Sequence, residues 1–357
     1  MSPRVLKIVA LVVGCTNCAA RQTGSSLAAT AASTQEFNGV VKEATCDRDF
    51  QENVDRFDRE RGQSGQFAGR DGVTISYHVV RHDQERGAIV FVNGWTDSYL
   101  YYSETTAALA RAGYSVYSFD HRGQGLSGRL LANPQIVHVA DFGDYVADLK
   151  TFVDTIVNAD HHDHVFMIAH SMGGLIGTMY ALQYGADIEK LVLSVPMFKA
   201  KYGLFPEPVA YSIALGQALL GFGDHYAPTQ RDYDPAADSF ESNTFTSSRC
   251  RYDHSRMVAN DAPAIRMGGS SNTWVQRSVE AATATRHRGS SLAIPTLLLQ
   301  AGQDSFVDNF GQDLFCGEAG PKCQMIRFPS AKHSLWKEAD AIQEETLSRV
   351  IGFLRLE

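Results

Sequence analysis

"VFMIAHSMGGLIGTMYAL" runs from Val165 to Leu182. An apolar run, Val165 to Ala169, is followed by Ser171 and then by a Gly-rich apolar stretch with helical spacing. A buried strand, a tight turn and a buried helix are the reading of that pattern. A serine placed on such a turn is the outline of a nucleophile elbow, usually Gly-x-Ser-x-Gly. Here the first small position is Ala169 and the second is Gly173. Both flank a point where strand and helix backbones approach closely. The strand side requires no positive φ, so the methyl of Ala169 is expected to be tolerated. The competing reading of Ser171 is a helix N-cap.

Outward from this stretch the chain alternates strands and helices. "VTISYHVV" (Val73 to Val80) has the period of two of a half-buried strand, and "GAIVFVNGW" is a continuous apolar run broken at Asn93-Gly94. "SETTAALARAG" reads as a helix ending at Gly113, "YSVYSFD" as a strand, and "HRGQGLSG" as a structural turn. Phe142, Val146, Leu149, Phe152, Val153 and Ile156 fall at helical spacing. "IEKLVLSVP" is a strand stopped by Pro196; "IPTLLLQAGQD" and "KCQMIRFPSAKH" hold two more, and a closing helix covers roughly Glu338 to Phe353. Repeated strand–helix units predict an α/β fold with a doubly wound, mostly parallel sheet. The rhythm fails over residues 198–290, which predicts an inserted, mainly helical cap between core segments 38–197 and 291–357. Residues 38–70 read only as a short charged lead-in.

A serine hydroxyl needs a base, a carboxylate to orient the base, and amide donors for the oxyanion. In this architecture the chain order is Ser, acid, His. Asp304 follows the buried strand "TLLLQA", where a doubly wound sheet presents its chemistry. Asp308 is its competitor and reads better as a loop or cap residue. Of the histidines only His333 lies downstream of Asp304. The oxyanion donors expected are the backbone N–H groups of Met172, next after the serine, and of Trp95 in the turn "FVNGWTDS". His170 is expected to point away from the site and to pack structurally.

The chain has 357 residues, 44% hydrophobic and 20% charged, as in an ordinary globular protein. A net charge of −8 supplies no electrostatic basis for nucleic-acid binding. No Cys/His spacing predicts a metal site, and "GQGLSG" lacks the full dinucleotide or phosphate-loop pattern, so no cofactor is expected. At the N-terminus Arg4 and Lys7 precede the apolar "IVALVVG", which stops at Cys15. Residues 1–15 therefore resemble a signal segment with a bacterial lipobox, "LVVGC", whose Cys15 would carry the lipid; a cleaved unlipidated signal and a merely apolar start are the alternatives. Residues 16–37, rich in Ala, Ser and Thr, suit a flexible tether. The expected location is the bacterial cell envelope, anchored to the membrane and facing the periplasm, with a cytoplasmic or peripheral inner-membrane place as the alternative. In an oxidising compartment Cys316 and Cys323 can close a short disulfide around a Gly/Pro loop; Cys46 with Cys250 is a looser pairing.

"AHSMGG", "NGWTDSYLYY", "SFDHRGQGLSGRLL", "LLLQAGQDSFVDN" and "AKHSLWKE", in this order, resemble the α/β-hydrolase branch of bacterial lysophospholipases and monoacylglycerol lipases, the lysophospholipases most. The resemblance runs from about Phe67 to Leu354. It implies Ser171 as nucleophile, Asp304 as acid, His333 as base, and the Trp95 and Met172 amides as oxyanion hole. Two positions depart from the monoacylglycerol lipases: their oxyanion turn usually begins His-Gly, here Asn93-Gly94, and their elbow usually begins with Gly, here Ala169. "GGSSNTWVQR" resembles a cap segment of the family, which puts Trp274 at the edge of the substrate. The implied activity is hydrolysis of lipid carboxylic esters, lysophospholipids first, with monoacylglycerols or short-chain esters as alternatives. An inactive envelope-anchored binding protein is the alternative of another class. The cap helix "PVAYSIALGQALLGFG" is expected either to line an acyl pocket or to bury against the core. Arg249, Arg251, Arg256 and Arg266 form a candidate phosphodiester cluster, with a solvated face as its plain alternative.

Overall fold

In the computed structural model, which describes residues 39–356, the run Val165–His170 is strand β5, near the middle of an eight-stranded sheet. The other strands are β1 (Gly62–Ala68), β2 (Thr74–Val80), β3 (Ala88–Val92), β4 (Ser115–Phe119), β6 (Lys190–Ser194), β7 (Thr296–Ala301) and β8 (Cys323–Phe328). Their order is β1-β2-β4-β3-β5-β6-β7-β8. β2 runs antiparallel to both neighbours and every later pairing is parallel. The signals for parallel strands lie in their composition: β3 and β4 are buried along their whole length, as strands covered on both faces must be. Alternation then sorts their side chains. Ala88, Val90 and Val92 join one apolar core, Ile89 and Phe91 the other.

Helices cover the two faces. A helical segment, α1 (Cys46–Asp49) and α2 (Arg56–Arg61) joined by the π-turn Phe50–Asp55, lies with α3 (Ser103–Arg111) and α10 (Asp340–Leu354) over one core. The helices α4 (Phe142–Phe152), α5 (Met172–Tyr184) and α9 (Asn309–Ala319) cover the other. The short charged lead-in thus holds two helices and the edge strand β1. No described helix is long and apolar enough to cross a membrane. The lipobox-like segment, Cys15 and the tether lie outside the described residues.

Between β6 and β7 stand α6 (Glu207–Gln217), extended by a π-turn over Ala218–Phe222, α7 (Arg249–Asp261) and α8 (Asn272–Arg286). This mainly helical insertion divides in two. α8 packs on α4, α5 and α9, and its Trp274, Val275 and Ala282 belong to the sheet's own core. α6 packs on α8, whereas α7 packs on α1 and on the turn Tyr99–Tyr102. Two bonds tie α7 down. Cys46 and Cys250 form a disulfide across 204 residues of sequence. Arg251, 1% exposed, donates Nε and Nη2 to the Glu104 carboxylate (2.9 Å each), Nη1 to Asp340 and to Glu338 O, and Nη2 to Val41 O. All five of its N–H donors are thereby used. Arg251 is therefore a structural pin, not a substrate-binding residue. Cys316 and Cys323 are also bonded. The expected loop between them is the end of α9 and a short turn, Gly320–Lys322.

Candidate active site

Ser171 sits on the turn between β5 and α5 with φ 54° and ψ −117°, a strained backbone for a residue with a Cβ. The surroundings hold it there: Ser171 N donates to Ser194 O (2.9 Å) and Met197 N to Ser171 O (2.9 Å). Small residues make room for the crossing. A Cβ on Gly173 would stand 2.2 Å from Asn93 O, and one on Gly174 would stand 2.8 Å from the Pro196 backbone. The methyl of Ala169 is accommodated because α5 presents Gly177 to it; a Cβ there would come within 2.8 Å of Ala169 Cβ.

His333, on the loop after β8, places Nε2 2.9 Å from Ser171 Oγ and Nδ1 2.7 Å from Asp304 Oδ2. An ionised carboxylate only accepts, so Nδ1 carries the proton and Nε2 is free to accept from the serine hydroxyl. Asp304 follows β7. Its second oxygen accepts from Phe306 N (2.8 Å) and Val307 N (2.9 Å), and Lys201 Nζ donates to its carbonyl (2.6 Å). The competitor Asp308 caps α9 through Phe310 N and pairs with Lys199 (2.6 Å). Ser171, Asp304 and His333 are all buried. This chain of three groups can move a proton off Ser171 and stabilise the imidazolium that results.

The turn carrying Trp95 is gripped by the segment read as a structural turn after β4. Asp120 accepts from Asn93 Nδ2, Tyr99 N, Ser98 Oγ and Leu126 N. Burial pushes its carboxyl up to about 7 against the pull of these four donors. His121 Nε2 donates to Asn93 O (3.0 Å), and burial lowers this imidazole to about 4, so it is neutral at pH 7. Gln124 Oε1 accepts from Thr96 N (2.6 Å), and Thr96 itself has φ 56°. Within the described residues the N–H groups of Trp95 and Met172 meet no acceptor, as an oxyanion hole requires. This clamp was not legible in the sequence; only the glycines of "GQGLSG" hinted at a tight turn.

His170 does not point away. It is buried, its ring centroid is 5.2 Å from that of His333, and it lines the same cavity. Burial, then the nearby His333 and Lys337 charges, lower its pKa well below the histidine range. A lowered pKa makes His170 a poor proton acceptor, and among the described residues His333 is the histidine bonded to Ser171 Oγ. The cavity over the site has a volume of about 540 Å³. Trp274 lines it, 6.1 Å from the Trp95 ring. Ala210, Ile213 and Ala214 of α6 line it too, so that helix forms part of the cavity wall. Arg249 does not: it is exposed, bonded to Asp253 (2.7 Å) and stacked on Phe240, because its position on α7 faces solvent. Of the four arginines only Arg256 and Arg266 reach the cavity.

A family model described as "Serine aminopeptidase, S33" (Hydrolase_4) matches residues 83–340. The chain belongs to this α/β-hydrolase family. Within it, the chain is 32% identical over 303 residues to lysophospholipase L2 of Escherichia coli K12, covering 83% of this chain and 88% of that protein. It is 26% identical over 293 residues to a monoacylglycerol lipase of Mycolicibacterium smegmatis, covering 81% and 96%. Among solved structures, a carboxyl esterase from Bacillus coagulans aligns with a TM-score of 0.66 at 18% identity, covering 82% of this chain and 98% of the other. A monoglyceride lipase from Saccharomyces cerevisiae aligns at 0.65, also 18% identical, covering 82% and 94%. At that identity these structures establish the Hydrolase_4 chain's fold and nothing finer.

Proposed function

We propose that this chain hydrolyses the carboxylic ester of a single-chain lipid, a lysophospholipid in preference to a monoacylglycerol, through an acyl-enzyme on Ser171. The observation that carries the reading is the Ser171–His333–Asp304 hydrogen-bonded chain opening into a largely apolar cavity of about 540 Å³. Ser171 Oγ attacks the ester carbonyl while His333 Nε2 takes its proton. The oxyanion forms against Met172 N–H and Trp95 N–H. Collapse expels the lipid alcohol, which receives the proton from His333. Water then repeats the sequence on the acyl-enzyme and releases the fatty acid. Identity to a lysophospholipase above that to a monoacylglycerol lipase supports the order of substrates.

The test is kcat/KM on a lysophosphatidylethanolamine, monoolein and p-nitrophenyl butyrate side by side. A preference for the butyrate over both lipids would favour a short-chain esterase. A fluorophosphonate should label the wild type covalently and leave Ser171→Ala unlabelled, and that variant should lose roughly 10⁴–10⁶-fold in kcat. An unlabelled wild type would favour the inactive binding protein. We also propose a place in the cell envelope, with Cys15 as the site of lipid attachment. The two disulfides support an oxidising compartment, and the charged and apolar order of residues 1–15 supports export. Mass spectrometry of the mature N-terminus decides: a chain beginning at unmodified Met1 sinks this part.

A further inference from the structure

The cavity is charged against the sign of the whole molecule. The chain carries a net −8, yet the lining holds four cationic side chains, Lys201, Arg256, Arg266 and Lys337, and two carboxylates, Asp97 and Asp238. Both carboxylates are turned to hydroxyls: Asp97 accepts from Tyr102 (2.6 Å), Asp238 from Tyr252 (2.7 Å) and Tyr233 (3.1 Å). None of the four cations forms an ion pair with a carboxylate among the described residues. Elsewhere in the insertion Arg249, Arg251, Arg277 and Arg286 each have one.

Arg256 and Arg266 are held instead by neutral oxygens. Arg256 donates to the Asp238 carbonyl, to Tyr252 OH (3.3 Å) and to Pro235 O (3.4 Å). Arg266 donates Nε to Ala259 O (2.8 Å) and Nη2 to Asn260 Oδ1 (2.7 Å). These bonds fix each guanidinium without cancelling its charge, and they leave Arg256 Nε and Arg266 Nη1 without an acceptor among the described residues. Arg256 and Arg266 both supply a cationic part of the cavity wall. That part comes from α7 and the turn after it. The apolar part comes from α6 and α8, through Ala210, Ile213, Ala214, Trp274 and Val275. The cavity therefore matches an amphiphile, with an apolar chain on one side and a singly charged oxyanion on the other. A guanidinium fork with an N–H left free is the group best suited to phosphate oxygens.

We infer that Arg256 and Arg266 form the phosphodiester subsite of the cavity and set its preference for lysophospholipids over neutral monoacyl lipids. This rests on the proposed reading of the site, and the test separates the two. An ether-linked lysophosphatidylglycerol analogue and an alkylglycerol of the same chain cannot be hydrolysed. Each is used as a competitive inhibitor of p-nitrophenyl butyrate cleavage by the full chain. The wild type should bind the phosphodiester ether about 10- to 100-fold more tightly than the alkylglycerol, the worth of one or two charge-assisted bonds. Arg256→Gln/Arg266→Gln should bring the ratio close to one, and Arg256→Lys/Arg266→Lys should restore much of it, which a merely structural role of the arginines would not predict. A wild type with no preference, or a preference that survives in the Gln variant, overturns the subsite. Tight arginine-dependent binding of the ether without turnover of the corresponding ester would leave the subsite standing and overturn the lysophospholipase reading instead.

Discussion

The floor of the cavity and its α7 wall are fixed by different means. The floor is the β5–α5 turn, the loops after β7 and β8, and the Asn93–Tyr99 turn. It is stitched by backbone hydrogen bonds, by the buried Asp120, His121 and Gln124 side chains, and by glycines that let chains cross, such as Gly173 beneath Asn93 O. The wall hangs on groups from far away in sequence: Cys46 on Cys250, and the Glu104 and Asp340 carboxylates and the Val41 carbonyl on Arg251. Catalytic groups need positions set to a fraction of an ångström, which this dense bonding at the strand ends supplies. A binding wall needs to be attached, and long-range pins are enough for that.

If this division holds, the wall can be loosened without disarming the floor. Arg251→Met leaves Glu104 buried with no cation beside it, and breaking one partner of a buried pair costs about 3–5 kcal/mol. Burial already raises the Glu104 carboxyl even with Arg251 in place. Without the guanidinium the folded-state pKa rises further above the unfolded value. The folded state then takes up a proton more readily than the unfolded one, so the deficit should shrink as the pH is lowered. Urea unfolding at neutral and mildly acidic pH measures both effects. Below its transition the variant should still react with a fluorophosphonate, because Arg251 touches no group of the Ser171–His333–Asp304 chain. A labelling rate that falls in step with stability would show floor and wall to be one unit.

The same division explains what could be read in the sequence. Ser171, Asp304 and His333 were legible because each stands at the end of an apolar strand and because chain order selects among candidates. The sheet was legible wherever strands are covered on both faces. β1 was not: it carries Gly62 and Gly65 because the His78 and Tyr77 rings of β2 lie over them, so its sequence lacks any apolar alternation. α9 was hidden by its two glycines and by Phe310, which is 59% exposed. Arg249 and Arg251 are two residues apart on one helix; one faces solvent and one is the pin. Nothing local distinguishes them, since the difference lies in what Glu104 and Asp340 bring from elsewhere in the chain.

The clamp beneath the oxyanion turn gives a pH test of the floor. His121 titrates near 4 in the folded protein and near 6.5 when exposed. The unfolded chain thus takes up this proton first as the pH falls. The stability that a neutral His121 contributes is complete above about 6.5 and is lost on the way down to about 4, a total of about 3 kcal/mol. Asp120 works in the opposite sense: its folded pKa of about 7 lies above the unfolded 3.8, so acidification over the same range favours the folded state. Wild-type stability alone mixes the two. The difference between wild type and His121→Gln isolates the histidine and should fall by about that amount from pH 7 to pH 4. A difference that stays constant with pH would mean that His121 is not held neutral, and that the clamp is looser than its hydrogen bonds imply.

The smallest effect tests the crossing itself. In an exposed helix Gly→Ala is favourable by about 1 kcal/mol. Gly177→Ala should do the reverse, because the new methyl meets Ala169 Cβ at 2.8 Å and Met167 Sδ at 3.1 Å. Overpacking of this kind costs about 1–3 kcal/mol, read as a lower midpoint in thermal or urea unfolding. Ala169→Gly on its own should leave turnover largely intact, since the strand side needs no left-handed backbone. Combined with Gly177→Ala it should recover most of the lost stability. The crossing of β5 and α5 has room for one methyl, and this chain carries it on the strand, where the usual Gly-x-Ser-x-Gly elbow has a glycine. If the double variant is no more stable than Gly177→Ala alone, the obstacle is Met167 and the alanine in the elbow is independent of the helix. If it recovers, Ala169 and Gly177 are a single compensated pair, and the departure of "AHSMG" from the usual elbow was written twice in the same segment.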